Sequence, residues 1–137
     1  MAKLNDLTDY QEILDVFTEV IATTSLERTI KIIILGDEQQ KKIHNVTKAN
    51  PITRFLHKED IYITVNQLVF EQLDTRQQIL VAEEALAEIT YDPEKDSITV
   101  KKQDYMVFTG IENKYGEDYI KKTRQLVREI YAQEKDK

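Results

Sequence analysis

The fold is decided by residues 74–92, which read DTRQQILVAEEALAEITYD. Asp74, followed three residues later by Gln77, forms a capping-box pattern that satisfies free backbone amides at a helix start. Apolar residues then recur at helical spacing, namely Ile79, Leu80, Ala82, Leu86 and Ile89. Pro93 cannot continue a helix and restrains the residue before it. The stretch therefore predicts a central helix from Thr75 to Ile89.

Short β-branched runs lie on both sides of this helix. Ile30–Leu35 predicts a buried strand that ends in a turn at Gly36-Asp37. Ile61–Val65 predicts a second strand, and Ser97–Val100 a short third one after the turn at residues 92–96. The polar stretch from Glu38 to Pro51 is typical of a loop or a weak edge strand.

Amphipathic helices are predicted at both ends of the chain. One apolar stripe runs through residues 9–23 and another through residues 117–133. A short helix is expected at residues 66–73, and a further helical segment with Tyr105, Val107, Phe108 and Ile111 is expected to end at Tyr115-Gly116. The order of elements predicts one α+β domain over residues 1–137, with a small mixed sheet packed on the central helix. Residues 1–8 and 134–137 are expected to be frayed.

Composition and charge exclude several classes of protein. The chain has 137 residues, a formal net charge of −6 and no cysteine. The negative charge argues against general binding to nucleic-acid phosphates. No apolar stretch reaches the roughly 20 residues that span a bilayer, and the first nine residues lack an apolar signal core. We therefore expect a cytoplasmic protein that binds neither nucleic acid nor membrane. The sequence does not indicate its oligomeric state.

Few residues are candidates for chemistry by spacing alone. His44 and His57 are the only histidines, and they lack the i, i+4 spacing that places two ligands on one helix face. Both are expected to be exposed or to anchor loops. Glu84 and Glu88 are four residues apart, so they share a helix face. That spacing is compatible with a site for a hard cation, but it favours an acidic, solvated face.

The residues that surround these carboxylates in sequence support a different interpretation of Glu84 and Glu88. In chain order the surrounding residues are Ile61–Val65, Leu73–Gln78, Leu86, Ile89, Asp92, Asp104, Phe108 and Tyr115-Gly116. The segment from Asp60 to Gly116 resembles the putative phage metallopeptidase family, small proteins with a minimal zincin core. In that family a strand and a short helix precede a helix with His-Glu-Leu-x-His. A turn, a strand, a His-Asp pair, a Phe and a Tyr-Gly follow.

The resemblance also implies that the zinc chemistry is missing. Glu84 and Glu88 stand where the family has its two helical histidines, and Gln103 stands at the third histidine. Ala85 occupies the position of the catalytic glutamate. A metallopeptidase needs ligands that leave an open coordination position and a base for the bound water. Alanine cannot accept a proton, so the resemblance implies a pseudo-metallopeptidase with no catalytic residue and no cofactor.

Three functions follow as hypotheses. The first is a non-catalytic, zincin-like phage or prophage protein that binds or regulates an unidentified protein partner. Its cleft would lie between the Glu84 and Glu88 face, Gln103 and the strand near Ile61, and its acidic character suggests a basic or polar partner. The second is a metal-dependent hydrolase, with Glu84 and Glu88 as weak ligands for an oxygen-preferring cation. The third is a structural or assembly protein that associates through the C-terminal helix.

Overall fold

The computed structural model describes residues 4–24, 30–101, 111 and 114–135. The helices and strands, in chain order, are β1 (Leu4–Asn5), α1 (Gln11–Ala22), β2 (Ile32–Asp37), β3 (His44–Lys48), α2 (Pro51–His57), β4 (Ile61–Val65), α3 (Gln67–Phe70), α4 (Thr75–Ala87), β5 (Ile89–Asp92), β6 (Ser97–Val100) and α5 (Glu117–Lys135). Among the described residues, no helix combines the length and apolar character needed to cross a membrane.

The main sheet has four strands in the order β1-β2-β4-β3. β2 and β4 run parallel, with Ile32 opposite Ile61, whereas β3 pairs antiparallel to β4, with His44 opposite Val65. β1 pairs antiparallel to β2, and β5 and β6 form a separate antiparallel pair. The predicted α+β class with a small mixed sheet is therefore confirmed, and β3 is the edge strand that the sequence suggested.

The hydrophobic core lies between the sheet and the helices α1 and α4. Ile61, Ile63 and Val65 alternate along β4 and are fully buried, as expected for one face of a strand that packs on helices. Phe17 of α1 and Phe70 of α3 are also fully buried, and their ring centroids are 5.7 Å apart. The central helix and the sheet thus share one core cluster.

The central helix is shorter than its sequence predicted. α4 ends at Ala87, Glu88 is its C-cap, and Ile89 begins β5. The helix from Thr75 to Ile89 was therefore predicted two residues too long. The cause is nonlocal, because Ile89 pairs with Val100 and Thr90 with Thr99 of β6. Apolar periodicity alone does not distinguish the last turn of a helix from the start of a short strand.

A helix that the sequence prediction missed lies between the polar stretch and β4. Asn50 is the N-cap of α2, since its side chain accepts a hydrogen bond from the Thr53 amide at 2.8 Å. Pro51 occupies the first helical position, where its missing N–H costs nothing. Both residues belong to the stretch that the sequence assigned to a loop or a weak edge strand. The predicted helical segment with Tyr105, Val107 and Phe108 lies outside the described residues.

The C-terminal helix packs on the core along its apolar stripe. Ile120, Thr123 and Ile130 are buried, and the guanidinium of Arg76 in α4 lies 4.3 Å from the ring centroid of Tyr119. α5 extends to Lys135, so residues 134 and 135 are helical rather than frayed. At the other end, part of the segment 1–8 that was expected to fray is structured, since Leu4 and Asn5 form β1 and Leu7 is fully buried.

Candidate functional site: a cationic groove over two buried carboxylates

α4 determines where the two candidate carboxylates lie. Its start is fixed by the predicted capping box: the Gln77 amide donates to Asp74 Oδ1 at 2.8 Å, and the Asp74 amide donates to Gln77 Oε1 at 3.0 Å. Glu84 and Glu88 line the same groove, as their spacing predicted. Ala85 is fully buried in the hydrophobic core. The residue at the expected catalytic position therefore packs in the protein interior.

Glu88 is bonded to a histidine of the edge strand. Its side chain is 4% exposed, and Glu88 Oε2 lies 2.7 Å from His44 Nε2. The prediction that His44 is exposed or anchors a loop is wrong, because β3 carries it against the end of α4. Three of the five residues at positions 43–47 are β-branched, namely Ile43, Val46 and Thr47, and β-branched residues are enriched in strands. The contact itself joins residues 44 positions apart, so no local spacing indicates it.

Glu84 is paired with the C-terminal helix. Its carboxylate Oε2 lies 3.5 Å from a terminal guanidinium nitrogen of Arg124, and Glu84 is 8% exposed. Burial raises the pKa of the Glu84 carboxyl above its ordinary value of 4.5, and the positive charge of Arg124 opposes this only in part. The acidic, solvated face predicted from the i, i+4 spacing is therefore wrong, since both carboxylates are buried and each has an internal partner.

The groove has a volume of about 590 Å³ and lies between β3, α4 and α5. Its charged lining consists of the two carboxylates of α4 and five basic side chains, Lys41, Lys42, Lys121, Arg124 and Arg128. Lys121 pairs with Glu117 at 2.7 Å. Within the described part of the chain, Lys41, Lys42 and Arg128 form no ion pair. The exposed rim is thus basic, although the whole chain is acidic.

The strand that borders the groove is not the one expected from sequence. Ile61 lies in the central strand β4 and is fully buried, so the strand that borders the groove is β3. The reason is the strand order, which puts β3 at the sheet edge beside α4. Gln103, the fourth position expected at the site, lies outside the described residues.

The sequence profile of the putative phage metallopeptidase family matches residues 6–131. The chain belongs to this family. Comparisons with curated proteins and with solved structures find no match. The match covers α1 through most of α5, so the groove between β3, α4 and α5 is part of the family domain.

The zinc ion implied by the phage metallopeptidase family does not fit the residues that line this groove. His44 Nε2 is hydrogen-bonded to Glu88, and the Glu84 carboxylate faces Arg124. A zinc site needs at least three ligands that converge on one point and leave a position open. In the ranges that the structure describes, no three His, Asp or Glu side chains are arranged to hold a metal ion. The side chains of His44 and Glu88 are therefore directed at each other, and that of Glu84 at Arg124, rather than at a common metal position.

Replacing Glu84 by glutamine is expected to make stability less dependent on pH. The folded protein holds the Glu84 proton more tightly than the unfolded chain, because burial raises this pKa. The contribution of Glu84 to the free energy of unfolding therefore falls as pH rises from below 4.5 through the raised folded value. We expect urea unfolding to show that the free energy of unfolding falls less between about pH 4 and pH 7 for Glu84→Gln than for the wild type.

The control for this experiment is Glu94→Gln, which changes an exposed glutamate in the turn between β5 and β6. Its stability should follow the wild-type pH dependence. An equal or steeper loss of stability in Glu84→Gln would show that the ionised carboxylate is not disfavoured by burial in the folded protein.

Proposed function

We propose that this phage metallopeptidase family member is a non-catalytic binding module whose groove holds an acidic segment of a protein partner. One observation carries the proposal: Glu84 and Glu88 are buried and paired internally, while Lys41, Lys42 and Arg128 remain at the rim without ion-pair partners among the described residues. The groove thus offers unpaired positive charge to a ligand. Its volume falls within the range of about 300–1,000 Å³ that is usual for ligand sites.

The internal pairs also support a role without catalysis. If Glu84, Ala85 and Glu88 stand at the family's zinc-site positions, as the resemblance implies, then two ligand positions are engaged by His44 and Arg124. Ala85, at the position of the catalytic base, carries no titratable group and is buried in the core. A fold can keep its groove after the chemistry is gone. We extend the proposal to a site of action in the host cytoplasm, which the absence of cysteine suits.

The basic charge of the rim supports an acidic partner, whereas the sequence alone suggested a basic or polar one. A cleft with two exposed carboxylates would select basic segments, whereas these carboxylates are buried and five basic side chains line the same groove. Complementary charge steers association and disfavours partners of like charge. Self-assembly through α5 is less favoured, because the apolar stripe of that helix packs on the protein's own core.

Reversing the charge at the rim is expected to weaken binding of an acidic peptide. The probe is a fluorescein-labelled hexaglutamate, and its dissociation constant is measured by fluorescence anisotropy at low ionic strength. Lys42→Glu and Arg128→Glu should each weaken binding by about fivefold or more, since a rim charge changes from attractive to repulsive. Added salt should weaken wild-type binding as well, because exposed charges are screened.

The matched control is Lys122→Glu, an identical charge change at an exposed position of α5 that does not line the groove. It should bind hexaglutamate like the wild type, and hexalysine should bind none of the proteins. Equal weakening by Lys122→Glu would mean that the peptide responds only to net charge. The proposal fails on that result, and also if the wild type does not bind hexaglutamate.

A further inference from the structure

Arg124 is less exposed than the other basic side chains of the cationic groove between β3, α4 and α5. Its side chain is 32% exposed, whereas the four others are open to solvent, namely Lys41, Lys42, Lys121 and Arg128. Two apolar residues line the same groove, Val81 of α4 and Val127, which lies one turn after Arg124 on α5. A charge that is partly shielded from water interacts more strongly with a ligand than an exposed one.

Most of the hydrogen-bonding capacity of Arg124 is unused among the residues that the structure describes. One terminal nitrogen of its guanidinium lies 3.5 Å from Glu84 Oε2, which is longer than the about 2.7–2.9 Å usual for charge-assisted bonds. Arg54 forms a bond of the shorter kind, since its Nε donates to Asp60 Oδ1 at 2.6 Å. A guanidinium carries five N–H donors. A ligand that enters the groove therefore meets donors of Arg124 that no described residue occupies.

The orientation of Arg124 is constrained by its neighbours on α5 and α4. Thr123, the residue before it, is 2% exposed, and its hydroxyl donates to the Tyr119 carbonyl at 3.0 Å. Ile120, one turn earlier, is fully buried and anchors the same helix. Glu84 holds one side of the guanidinium. Because the side chain is oriented before a ligand arrives, less conformational entropy is lost on binding.

The exposed lysines around the groove cannot provide the same selectivity as Arg124. A lysine is a point charge on a flexible stem, and an exposed ion pair is weakened by screening and by the entropy of its side chains. A guanidinium is planar and matches the two oxygens of a carboxylate through parallel hydrogen bonds. The rim therefore attracts anions of many kinds, whereas Arg124 responds to the geometry of the anionic group.

We propose that Arg124 determines which anionic group the cationic groove accepts, by holding one side-chain carboxylate of the partner segment through two parallel N–H···O bonds. The inference rests on the proposed function and adds to it a geometric requirement at one residue. Val81 and Val127 provide apolar surface for the methylene stem of that acidic side chain. A carboxylate suits the site better than a phosphate, because it brings one negative charge rather than nearly two towards Glu84 and Glu88.

The test compares two substitutions that keep the charge and remove the guanidinium. Arg124→Lys changes the half-buried arginine, and Arg128→Lys changes the exposed one a turn further along α5. Fluorescence anisotropy measures binding of a fluorescein-labelled hexaglutamate whose C-terminus is amidated, so that only side-chain carboxylates are present. Arg124→Lys should weaken binding at least about tenfold, because a lysine cannot donate two parallel bonds. Arg128→Lys should weaken it less than about threefold, because an exposed charge acts without fixed geometry.

A second measurement follows the contact in the wild-type protein, so it does not depend on how well a variant folds. The Nε–H signals of the arginines are observed by NMR, and that of Arg124 is assigned by its absence from the Arg124→Lys spectrum. Hexaglutamate should shift the Arg124 signal. The Arg54 signal is the internal control and should stay in place, because Arg54 lies outside this groove and is bonded to Asp60. Urea unfolding measures the stability of both lysine variants.

The possible results separate this inference from the proposed function. If the wild type binds hexaglutamate and Arg124→Lys binds it equally well, or the Arg124 signal does not move, Arg124 does not select the ligand, although the groove still binds an acidic segment. If the wild type does not bind hexaglutamate, both proposals fail. Loss of binding on amidation would identify a C-terminal carboxylate as the ligand and overturn the inference. Tighter binding of a hexaphosphoserine peptide, weakened tenfold by Arg124→Lys, would overturn the preference for a carboxylate.

Discussion

Replacing His44 by alanine is expected to lower the free energy of unfolding by about 3 kcal/mol, since removing one partner of a buried ionic or hydrogen-bonded pair leaves the other unpaired. Glu88 is 3% exposed, and among the described contacts its only side-chain partner is His44 Nε2, at 2.7 Å. The alanine variant leaves a carboxylate in the interior without a donor. Urea denaturation followed by circular dichroism measures the difference directly.

Two further variants separate this explanation from a general effect of losing a histidine. His57→Ala removes an exposed side chain from α2 and should change the free energy of unfolding by no more than about 0.5 kcal/mol. The double variant His44→Leu/Glu88→Met removes both polar groups and should recover much of the stability, because apolar residues of similar size can replace a buried pair. If His44→Ala were as stable as His57→Ala, the pair would not matter for folding.

Local signals in the sequence were sufficient for the parts of the fold that local interactions control. The bounds of β4 at Ile61–Val65 and the start of α4 behind Asp74 agree with the structure. Both depend on short-range patterns, alternation in one case and a capping box in the other. The end of α4 and the strand β5 depend on pairing with β6, and the sequence pattern misassigned them. α2 was missed although Asn50 and Pro51 form a recognisable helix start.

The site could be predicted only in part, for a physical reason. The i, i+4 spacing correctly places Glu84 and Glu88 in one groove, but charge and burial there come from elements far along the chain. His44 is 44 residues from Glu88, and Arg124 is 40 residues from Glu84. Spacing on one helix contains no information about these partners. The cleft that was expected to be acidic therefore has a basic rim, and the partner that we propose is acidic rather than basic.

Replacing Ala85 by glutamate is expected to destabilise the protein by more than about 3 kcal/mol, the usual cost of an uncompensated buried charge, without creating metal-dependent proteolysis. The variant restores the residue type that the family resemblance implies for the catalytic base. Ala85 is fully buried in the hydrophobic core cluster, so a carboxylate there would be desolvated, and the added atoms would overpack the interior. Thermal and urea unfolding measure the loss, and casein hydrolysis with and without added Zn²⁺ measures activity.

The matched control is Thr75→Glu, which introduces the same side chain at the exposed first residue of the same helix. A negative charge in a first helical turn interacts favourably with the helix dipole, so this variant should be as stable as the wild type or slightly more so. Stable folding of Ala85→Glu together with zinc-dependent casein hydrolysis would contradict the conclusion that zinc does not fit the residues of the groove. It would mean that position 85 can direct a base into the groove and that His44, Glu84 and Glu88 can separate from their partners to bind metal. A rise in the wild-type melting temperature on adding Zn²⁺ would point the same way, since a metal that binds only the folded state stabilises it by mass action.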